Sequence, residues 1–330
     1  MDRIRIGLGF VLMAALVTMA AAQETLDPVF QASGVNGDCR ISLPGQDEFL
    51  PVEESKAYPY GSHIRTGSRS SLVLTISEGN EVRVLANADL VFNEDSSNVK
   101  IKNVQLNDGE VEVELNKAFH DGGNALNVET ATAICGAIGS HFRVASRMEQ
   151  NLRIAIFRVI KGLIRVYGEN FEVAEMKADD WLSLLSPSDR SFLRLKTMKG
   201  AFNIKVKDQD MNDKNLATKE GTVLKIWQRV IPESNQRIIT FVLTSPDGEM
   251  LETITVTFNA DQKARFGGVD WIDKLPPDGE KGRKRDNPIP PEDVLDLIIQ
   301  AVLDDINVEF HRNRPPRPPR PQTPTEVGKR

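Results

Sequence analysis

The stretch SSLVLTISEGNEVRVL, residues 70–85, decides the fold class of this chain. Aliphatic and β-branched residues lie on both sides of the tetrapeptide SEGN at residues 77–80, whose composition is typical of a tight turn. Between about residues 35 and 185 the same pattern recurs, with short aliphatic runs separated by glycine, asparagine, aspartate and serine. Strands at such short and regular intervals predict an all-β domain. We therefore predict a mainly β fold.

Two runs within this region predict specific strand environments. Glu110–Leu115 alternates strictly, which places valine and leucine side chains on one face and glutamates on the other, so we expect a half-exposed strand. Leu152–Ile160 and Leu163–Tyr167 are separated by the dipeptide KG at residues 161–162. A turn at that dipeptide would join the two runs as a hairpin.

Residues 191–274 contain a second, smaller β segment. The tetrapeptide SPDG at residues 245–248 predicts a hairpin turn, because proline presets the first torsion and glycine accepts a positive φ. Residues 208–220 are polar and predict a loop. The sequence allows either a separate small β-sandwich or an extension of the first domain. The strand candidates are Ala201–Val206, Val223–Ile231, Arg237–Thr244 and Met250–Phe258.

The N-terminus predicts export. Arg3 and Arg5 precede an apolar run from Ile6 to about Val17, and three alanines ending at Ala22 follow. This pattern is typical of a secretory signal peptide over residues 1–22, with cleavage after Ala22. An uncleaved membrane anchor is the alternative, because the stretch from Ile6 to Ala22 has 17 residues, which is the lower limit of about 17–25 for a spanning helix. We expect a periplasmic or extracellular protein of a bacterial envelope.

The C-terminal part predicts a linker, a helix and a tail. Residues 275–291 are rich in proline, glycine and charge and are read as a linker. Residues 292–310 predict an amphipathic helix that packs on its own domain, with docking to a partner as the alternative. Residues 311–330 are a basic, proline-rich tail that we expect to be disordered. The apolar stripe of the helix is Val294, Leu297, Ile298, Ala301, Val302 and Ile306, and its acidic face is Asp293, Asp296, Asp304 and Asp305.

Composition excludes several classes. The chain has 330 residues, 40% of them hydrophobic, with a formal net charge of −6. Collagen-like, coiled-coil and disulfide-rich proteins are excluded by this composition. A nucleic-acid partner is not expected, because the basic excess that such binding requires is missing. The two cysteines, Cys39 and Cys135, either form a disulfide or are buried free thiols, and the sequence leaves both readings open.

No pattern in the sequence predicts catalysis, a metal site or a cofactor. The four histidines have neither H-x-x-x-H nor H-E-x-x-H spacing, and there is no G-x-S-x-G, P-loop or G-x-G-x-x-G motif. Ser140 and His141 are adjacent, but neighbouring residues of a strand point to opposite faces and cannot act as nucleophile and base. We therefore predict a protein that is not an enzyme and has no cofactor.

Several elements in order resemble the FecR domain, which is named for the periplasmic regulator of iron-citrate uptake. Residues 61–67 are similar to its G-D-x-I-x-T-G element, residues 78–80 to its D-G-S turn, and residues 106–115 to its L-x-x-G-x-x-x-V element. Residues 128–144 resemble the V-x-T-P…V-R-G-T-x-F-x-V block, and residues 159–166 the V-x-E-G-x-V-x-V element. Serine at 140, alanine at 137 and alanine at 131 depart from the usual threonine, arginine and proline. The resemblance implies a FecR-like β domain over residues 23–190.

The resemblance also bears on signalling and on a binding site. Regulators of this family carry a cytoplasmic anti-sigma segment and a transmembrane helix before the periplasmic domain. Here the domain follows the predicted signal peptide almost directly, so we expect no sigma-factor binding. The FecR pattern places several basic residues on neighbouring strands, where a shared face could receive an acidic glycan or peptide; isolated surface charges are the alternative. These residues are His63, Arg65, Arg69, Arg143, Arg147 and Arg153.

Together these features predict an exported, non-enzymatic FecR-domain protein that acts as an envelope binding or scaffolding module. Its partner would be an unidentified envelope protein or glycan, and its oligomeric state is left open. One alternative is a membrane-anchored signalling component resembling FecR sensors, which would require an uncleaved signal segment. The other is a glycan-acting hydrolase, which would require two carboxylates a few ångströms apart in a cleft.

Overall fold

The computed structural model describes residues 30–259, except residues 96, 150, 189–191, 209, 211 and 235. The predicted signal peptide, linker, C-terminal helix and tail therefore lie outside the described residues. One short helix, α1 (Lys117–Asp121), and one 3-10 turn at Pro232–Ser234 accompany the strands within them. The strands are β1 Phe30–Asn36, β2 Cys39–Ser42, β3 Leu50–Pro51, β4 Ala57–Tyr58, β5 Ser62–Thr66, β6 Ser71–Ser77, β7 Asn80–Val84, β8 Asp89–Glu94, β9 Ile101–Glu114, β10 Ala125–Glu129, β11 Ile134–Glu149, β12 Leu152–Tyr167, β13 Glu172–Lys177, β14 Trp181–Pro187, β15 Phe192–Lys199, β16 Asn203–Lys207, β17 Asp213–Ala217, β18 Val223–Ile231, β19 Gln236–Thr244 and β20 Met250–Asn259. The mainly β prediction is confirmed.

All twenty strands belong to one hydrogen-bonded network that folds into two layers. The first layer runs β4–β1–β6–β7–β9–β11–β12–β14–β15–β18–β19–β20. The second layer runs β3–β2–β5–β8–β9–β10–β11–β12–β13–β16–β17, and its β9–β10 pair is the parallel one. The layers face each other, because the buried rings of Phe30 in β1 and Phe92 in β8 are 5.1 Å apart. The architecture is therefore a β-sandwich.

Three long strands, β9, β11 and β12, pass from one layer into the other. Each carries a glycine with positive φ near the crossing, at positions 109, 139 and 162. Register shifts between β11 and β12 occur at residues 138–142, as expected for β-bulges. A bulge lets a strand bend without ending, and glycine adopts the required φ without strain. The crossings join the two layers into one body.

The crossing in β12 corrects one sequence-based interpretation. The dipeptide at residues 161–162 does not form a hairpin turn, because Leu152–Tyr167 is one continuous strand. The first half of the strand pairs with β14 and the second half with β13. A lysine-glycine pair between two aliphatic runs suits a turn or a bulge equally well, so local sequence does not separate the two.

The second β segment pairs directly with the first. β15 pairs with β14, and β16 pairs with β13, so the sheets continue without a break in pairing. One hydrophobic cluster extends from Phe30 to Val256. The hairpin turn predicted at residues 245–248 joins β19 to β20, with the Ser245 amide donating to the Glu249 carbonyl at 2.8 Å. The polar stretch predicted as a loop contains strand β17, in which Leu216 is the one buried residue.

Within the described residues, no helix is long and apolar enough to cross a lipid bilayer.

Candidate functional site

A carboxylate cluster on β5 and β8 holds two of the predicted basic residues. Asp89 accepts hydrogen bonds from His63 Nε2 at 2.8 Å, Arg65 Nε at 2.7 Å and Asn107 Nδ2 at 2.9 Å. The Arg65 guanidinium also stacks over the ring of Phe49, 4.3 Å from its centre. Burial alone would raise the pKa of Asp89, but the hydrogen bonds from Asn107, His63 and Arg65 outweigh it and lower the pKa. Asp89 therefore holds both basic side chains on this face of the sheet.

A second cluster on β9 and β11 repeats this arrangement. Glu112 is held by His141 Nε2 at 2.7 Å and by Arg143 Nε at 2.8 Å, and Arg143 Nη1 also lies 3.5 Å from Glu110. Burial would raise the pKa of Glu112, but the hydrogen bond from His141 and the charge of Arg143 lower it to about 2. Glu112 is thus ionised at neutral pH.

The two clusters share one geometry. In each, the arginine lies directly opposite the carboxylate across an antiparallel pair, and the histidine two residues earlier reaches the same carboxylate. Residues two apart on a strand point to the same face, so the sequence H-x-R is enough to align both donors. The motif is visible in the sequence as HIR at residues 63–65 and HFR at residues 141–143. Its carboxylate partner is found only through strand pairing.

The structure divides the predicted basic patch. His63 and Arg65 lie on β5 in the second layer, whereas Arg143 and Arg147 lie on the part of β11 that belongs to the first layer. The charge of Arg147 acts on Asp108 of β9. Arg69 is exposed in the turn after β5, with φ of +58°, and Arg153 is half-buried on β12 opposite Met148. The six residues do not converge on one surface.

The two cysteines are both buried as free thiols. The Cys39 thiol lies 3.3 Å from the Asn36 carbonyl and 3.4 Å from the Ser71 carbonyl. Four strands separate β2, which carries Cys39, from β11, which carries Cys135. At about 4.8 Å per strand this exceeds the Cα separation of about 4.4–6.8 Å that a disulfide spans. Cys39 and Cys135 therefore do not form a disulfide in this fold, and the alternative of two buried free thiols is the correct one.

The Ser140 and His141 side chains are directed to different partners. The Ser140 hydroxyl donates to the Leu163 carbonyl at 2.6 Å and accepts from the Leu163 amide at 3.0 Å, while His141 contacts Glu112. These two side chains lie on opposite faces of the strand and do not form a nucleophile–base pair. Among the described residues, no group of three or more histidine, cysteine or acidic side chains could hold a metal ion.

The family model described as FecR protein matches residues 62–175. This chain carries a FecR domain. The domain extends from β5 into β13 and contains both H-x-R clusters, together with the three strand crossings. It covers the core of the region in which the sequence resembles the family. β14 to β20 follow it in the chain and continue its sheets.

Two solved structures are similar to this chain over 48% of its length and 59% of theirs. Both are described as a "putative anti-sigma factor" from Parabacteroides distasonis ATCC 8503. The first is 16% identical with a TM-score of 0.32, and the second is 17% identical with a TM-score of 0.31. The chain therefore spans about three-fifths of the length of each. No curated protein matches the chain.

Beyond the FecR domain, β20 forms an edge of the first layer. Among the described residues it pairs with β19 alone. Ile254 and Val256 are buried in the core, while Thr253, Thr255 and Thr257 are exposed on the other face. β17, the edge of the second layer, lies beside it, because Lys214 of β17 forms an ion pair with Glu252 of β20. The two edges form one open side of the sandwich.

A second feature beyond the FecR domain is an apolar cluster on the outer face of the first layer. Its buried members are Ala145, Ile154, Ile156 and Leu185, with Leu152, Phe192 and Met198 packed against them. We call these seven residues the outer cluster. Trp227 is 47% exposed and contacts Phe192 with ring centres 5.2 Å apart, which extends the apolar surface onto β18.

Proposed function

We propose that this chain is an exported, non-enzymatic binding module that takes up an extended segment of an envelope polypeptide along the free edge of β20. The observation that carries this proposal is the edge itself. β20 is ten residues long, contains no proline and pairs on one side within the described residues. An edge strand presents unpaired amide and carbonyl groups, which are the groups that an added strand binds.

The side chains of β20 support strand addition. Burial of Ile254 and Val256 anchors the strand in the core, so the edge is already in its binding conformation. The exposed threonines have high β-propensity and carry no charge. Proteins that protect an edge strand from pairing place lysine or proline along it, and β20 contains neither. Its one charged residue, Glu252, forms an ion pair with Lys214. This edge therefore lacks the features that prevent pairing.

Predicted export and the FecR domain support an envelope polypeptide as the class of partner. The signal-peptide pattern of residues 1–22 supports export of the mature chain from the cytoplasm. The main-chain groups of an edge strand recognise a polypeptide backbone, whereas a glycan would need convergent polar or aromatic side chains. The basic residues are divided between the layers, and His63, Arg65 and Arg143 are each paired with a carboxylate, so they offer less to an acidic glycan.

One pair of carboxylates would serve the hydrolase alternative. Asp89 and Asp108 lie opposite each other, and their pKa values move apart, since burial raises the pKa of Asp108 while hydrogen bonds lower that of Asp89. Opposite pKa shifts in two neighbouring carboxyl groups are typical of the acid–base pairs of glycosidases. Both Asp89 oxygens, however, are engaged by His63 and Arg65. We expect Asp108→Asn to leave any effect of the protein on envelope glycans unchanged, as measured by release of reducing ends.

The test is site-specific photocrosslinking in native cells that produce the full chain. A photoreactive phenylalanine analogue replaces Thr255 on the edge strand, and the matched control carries it at Thr240, the neighbour of Thr255 on the internal strand β19. We expect a protease-sensitive adduct at position 255 and a much weaker one at position 240. Introducing lysine at Thr253 and Thr257 should abolish the adduct.

Other outcomes would contradict the proposal. An adduct that is removed by glycan hydrolases but not by proteases would assign the surface to a glycan. Equal adducts at both positions, or none at position 255, would exclude recognition by the edge. Fractionation with N-terminal sequencing tests export separately: a mature chain that begins near Gln23 is expected, and an intact N-terminus in the membrane fraction would support the anchored alternative.

A further inference from the structure

Side-chain amides are concentrated on the outer face of the second layer. Asn93 of β8, Asn103 of β9 and Asn127 of β10 lie directly opposite one another across the three strands. Gln105 and Asn107 follow Asn103 along β9 on the same face, because residues two apart on a strand share a face. We call these five residues the amide face. Asparagine is disfavoured in strands, so four asparagines on three neighbouring strands need an explanation other than strand formation.

Contacts within the amide face use only part of its hydrogen-bonding capacity. The Asn127 Nδ2 donates to the Asn103 Oδ1 at 3.2 Å, and the Gln105 Nε2 donates to the Asn107 Oδ1 at 3.4 Å. Within the described part of the chain, the Asn127 Oδ1 is buried without a hydrogen-bond partner, and the Asn93 side chain forms no hydrogen bond. Each carboxamide offers two donor hydrogens and one acceptor oxygen. Both donors and acceptors therefore remain unused across the amide face.

One apolar side chain lies among the amides. Val91 is two residues before Asn93 on β8 and directly opposite Gln105 on β9. It is half-buried on the outer face, whereas Leu90 and Phe92 on either side of it fill the core. Val91 thus places a small apolar contact between two carboxamides.

We propose that the amide face, together with Val91, binds an N-acetylated amino sugar of an uncharged envelope glycan. An acetamido group has one N–H donor, one carbonyl acceptor and one methyl group, and these match a carboxamide oxygen, a carboxamide nitrogen and Val91. Sugar hydroxyls both donate and accept, so the remaining carboxamides bind them. The row of three asparagines spans two strand spacings, about 10 Å, so a saccharide chain lying flat on the sheet contacts several carboxamides at once.

The charges beside the amide face favour an uncharged ligand over an acidic one. Glu129 on β10 is exposed and would repel an acidic glycan. The basic residues on the neighbouring strands are already held by carboxylates, Arg165 of β12 by Glu172 and His63 of β5 by Asp89. The amide face lies on the second layer, whereas the edge at β20 belongs to the first, so the glycan site is separate from the proposed polypeptide site.

The experiment is calorimetric titration of the full mature chain with chitotetraose, a linear tetramer of N-acetylglucosamine, at millimolar concentration. Cellotetraose, which has hydroxyl groups in place of the acetamido groups, should bind at least about tenfold more weakly. Asn93→Ala should weaken binding of chitotetraose about fivefold by removing hydrogen bonds, and Val91→Thr about threefold by removing the methyl contact. The matched control is Asn215→Ala, at an exposed asparagine of β17 in the same layer, and it should leave the affinity unchanged.

Other outcomes overturn the proposal. An absence of binding would exclude the site, and equal affinities for the two tetrasaccharides would mean that no acetamido group is recognised. Full affinity in Asn93→Ala would place the saccharide on another surface. If Asn93→Ala fails to fold, Gln105→Ala at an exposed position decides the matter, with the same expected loss. Lysine at Thr253 and Thr257, which blocks the edge at β20, should leave chitotetraose binding intact, so the glycan site and the polypeptide site are tested independently.

Discussion

Glu112 is the residue whose ionisation most clearly affects stability. Its pKa falls from an ordinary 4.5 to about 2 in the folded chain, since the hydrogen bond from His141 and the charge of Arg143 outweigh the effect of burial. A depressed carboxyl pKa stabilises the fold above the unfolded-state value and ceases to do so as pH falls through the folded-state value. Glu112 therefore stabilises the protein at pH 5 and above, and this contribution is lost between about pH 4.5 and pH 2.

We predict that Glu112→Gln lowers the free energy of unfolding at pH 7 by about 2 kcal/mol, after allowance for solvent screening. The variant should also lose part of the decline in stability between pH 5 and pH 2 that the parent shows. Urea unfolding at a series of pH values measures both effects. Glu114→Gln is the matched control, because Glu114 lies on the same face of β9 but is exposed. Equal pH profiles for the parent and Glu112→Gln would contradict the proposed role.

The two buried thiols give a second prediction at the residue scale. Burial raises the pKa of both Cys39 and Cys135, which lowers the thiolate fraction and the rate of reaction. We expect slow modification of both thiols by a disulfide reagent in the native chain, and two rapidly reactive thiols per chain after unfolding without reductant. Finding no thiol after unfolding would mean that the cysteines are bridged, in conflict with their positions on β2 and β11.

At the scale of the element, Gly109 controls the passage of β9 between the layers. Its φ is +89°, and a Cβ atom there would lie 2.4 Å from the Ala88 Cα. Gly45 has a similar φ of +74°, but no atom lies within 4 Å of its Cβ position. Alanine substitutions at these two glycines therefore distinguish the loss of stability due to backbone strain from the loss due to a steric clash with the neighbouring strand.

We predict that Gly45→Ala destabilises the chain by about 1 kcal/mol through strain alone. Gly109→Ala should cost at least about 2 kcal/mol more, because the strand cannot bend against β8 without moving Ala88. Thermal or urea unfolding of the two variants measures the difference. Equal losses would show that the bend accommodates a side chain and that Gly109 is not required for the crossing.

At the scale of the whole molecule, continuous pairing from β14 into β15 makes the second β segment part of the same cooperative unit. We predict that Leu224→Ala on β18, a fully buried residue outside the FecR domain, destabilises the entire sandwich by about 3 kcal/mol. Hydrogen exchange of β6 and β7 should accelerate together with that of β18 and β19. Leu251→Ala, at a residue that is 52% exposed, should change stability by less than about 0.5 kcal/mol. Acceleration confined to β15–β20 would instead indicate two independent domains.

The sequence alone determined the strand content and most strand positions. β18 begins and ends where the sequence predicted, and β19 and β20 differ from their predicted bounds by one residue each. These strands were predictable because alternation with period two is a local property, set by which side chains must leave water. The order of the FecR elements in residues 62–175 was visible for the same reason. β17 was missed because it is polar and has a single buried residue.

Only the tertiary structure decided the crossings, the carboxylate partners and the surfaces. Whether residues 161–162 form a turn or a bulge depends on the strands beside them, since glycine permits either conformation. His63, Arg65, His141 and Arg143 could be identified as candidates, but Asp89 and Glu112 became their partners through register between distant segments. The edge at β20 and the outer cluster exist only once the strand order is fixed. Side-chain periodicity is encoded within a few residues, whereas pairing between strands is determined by the packing of the whole core.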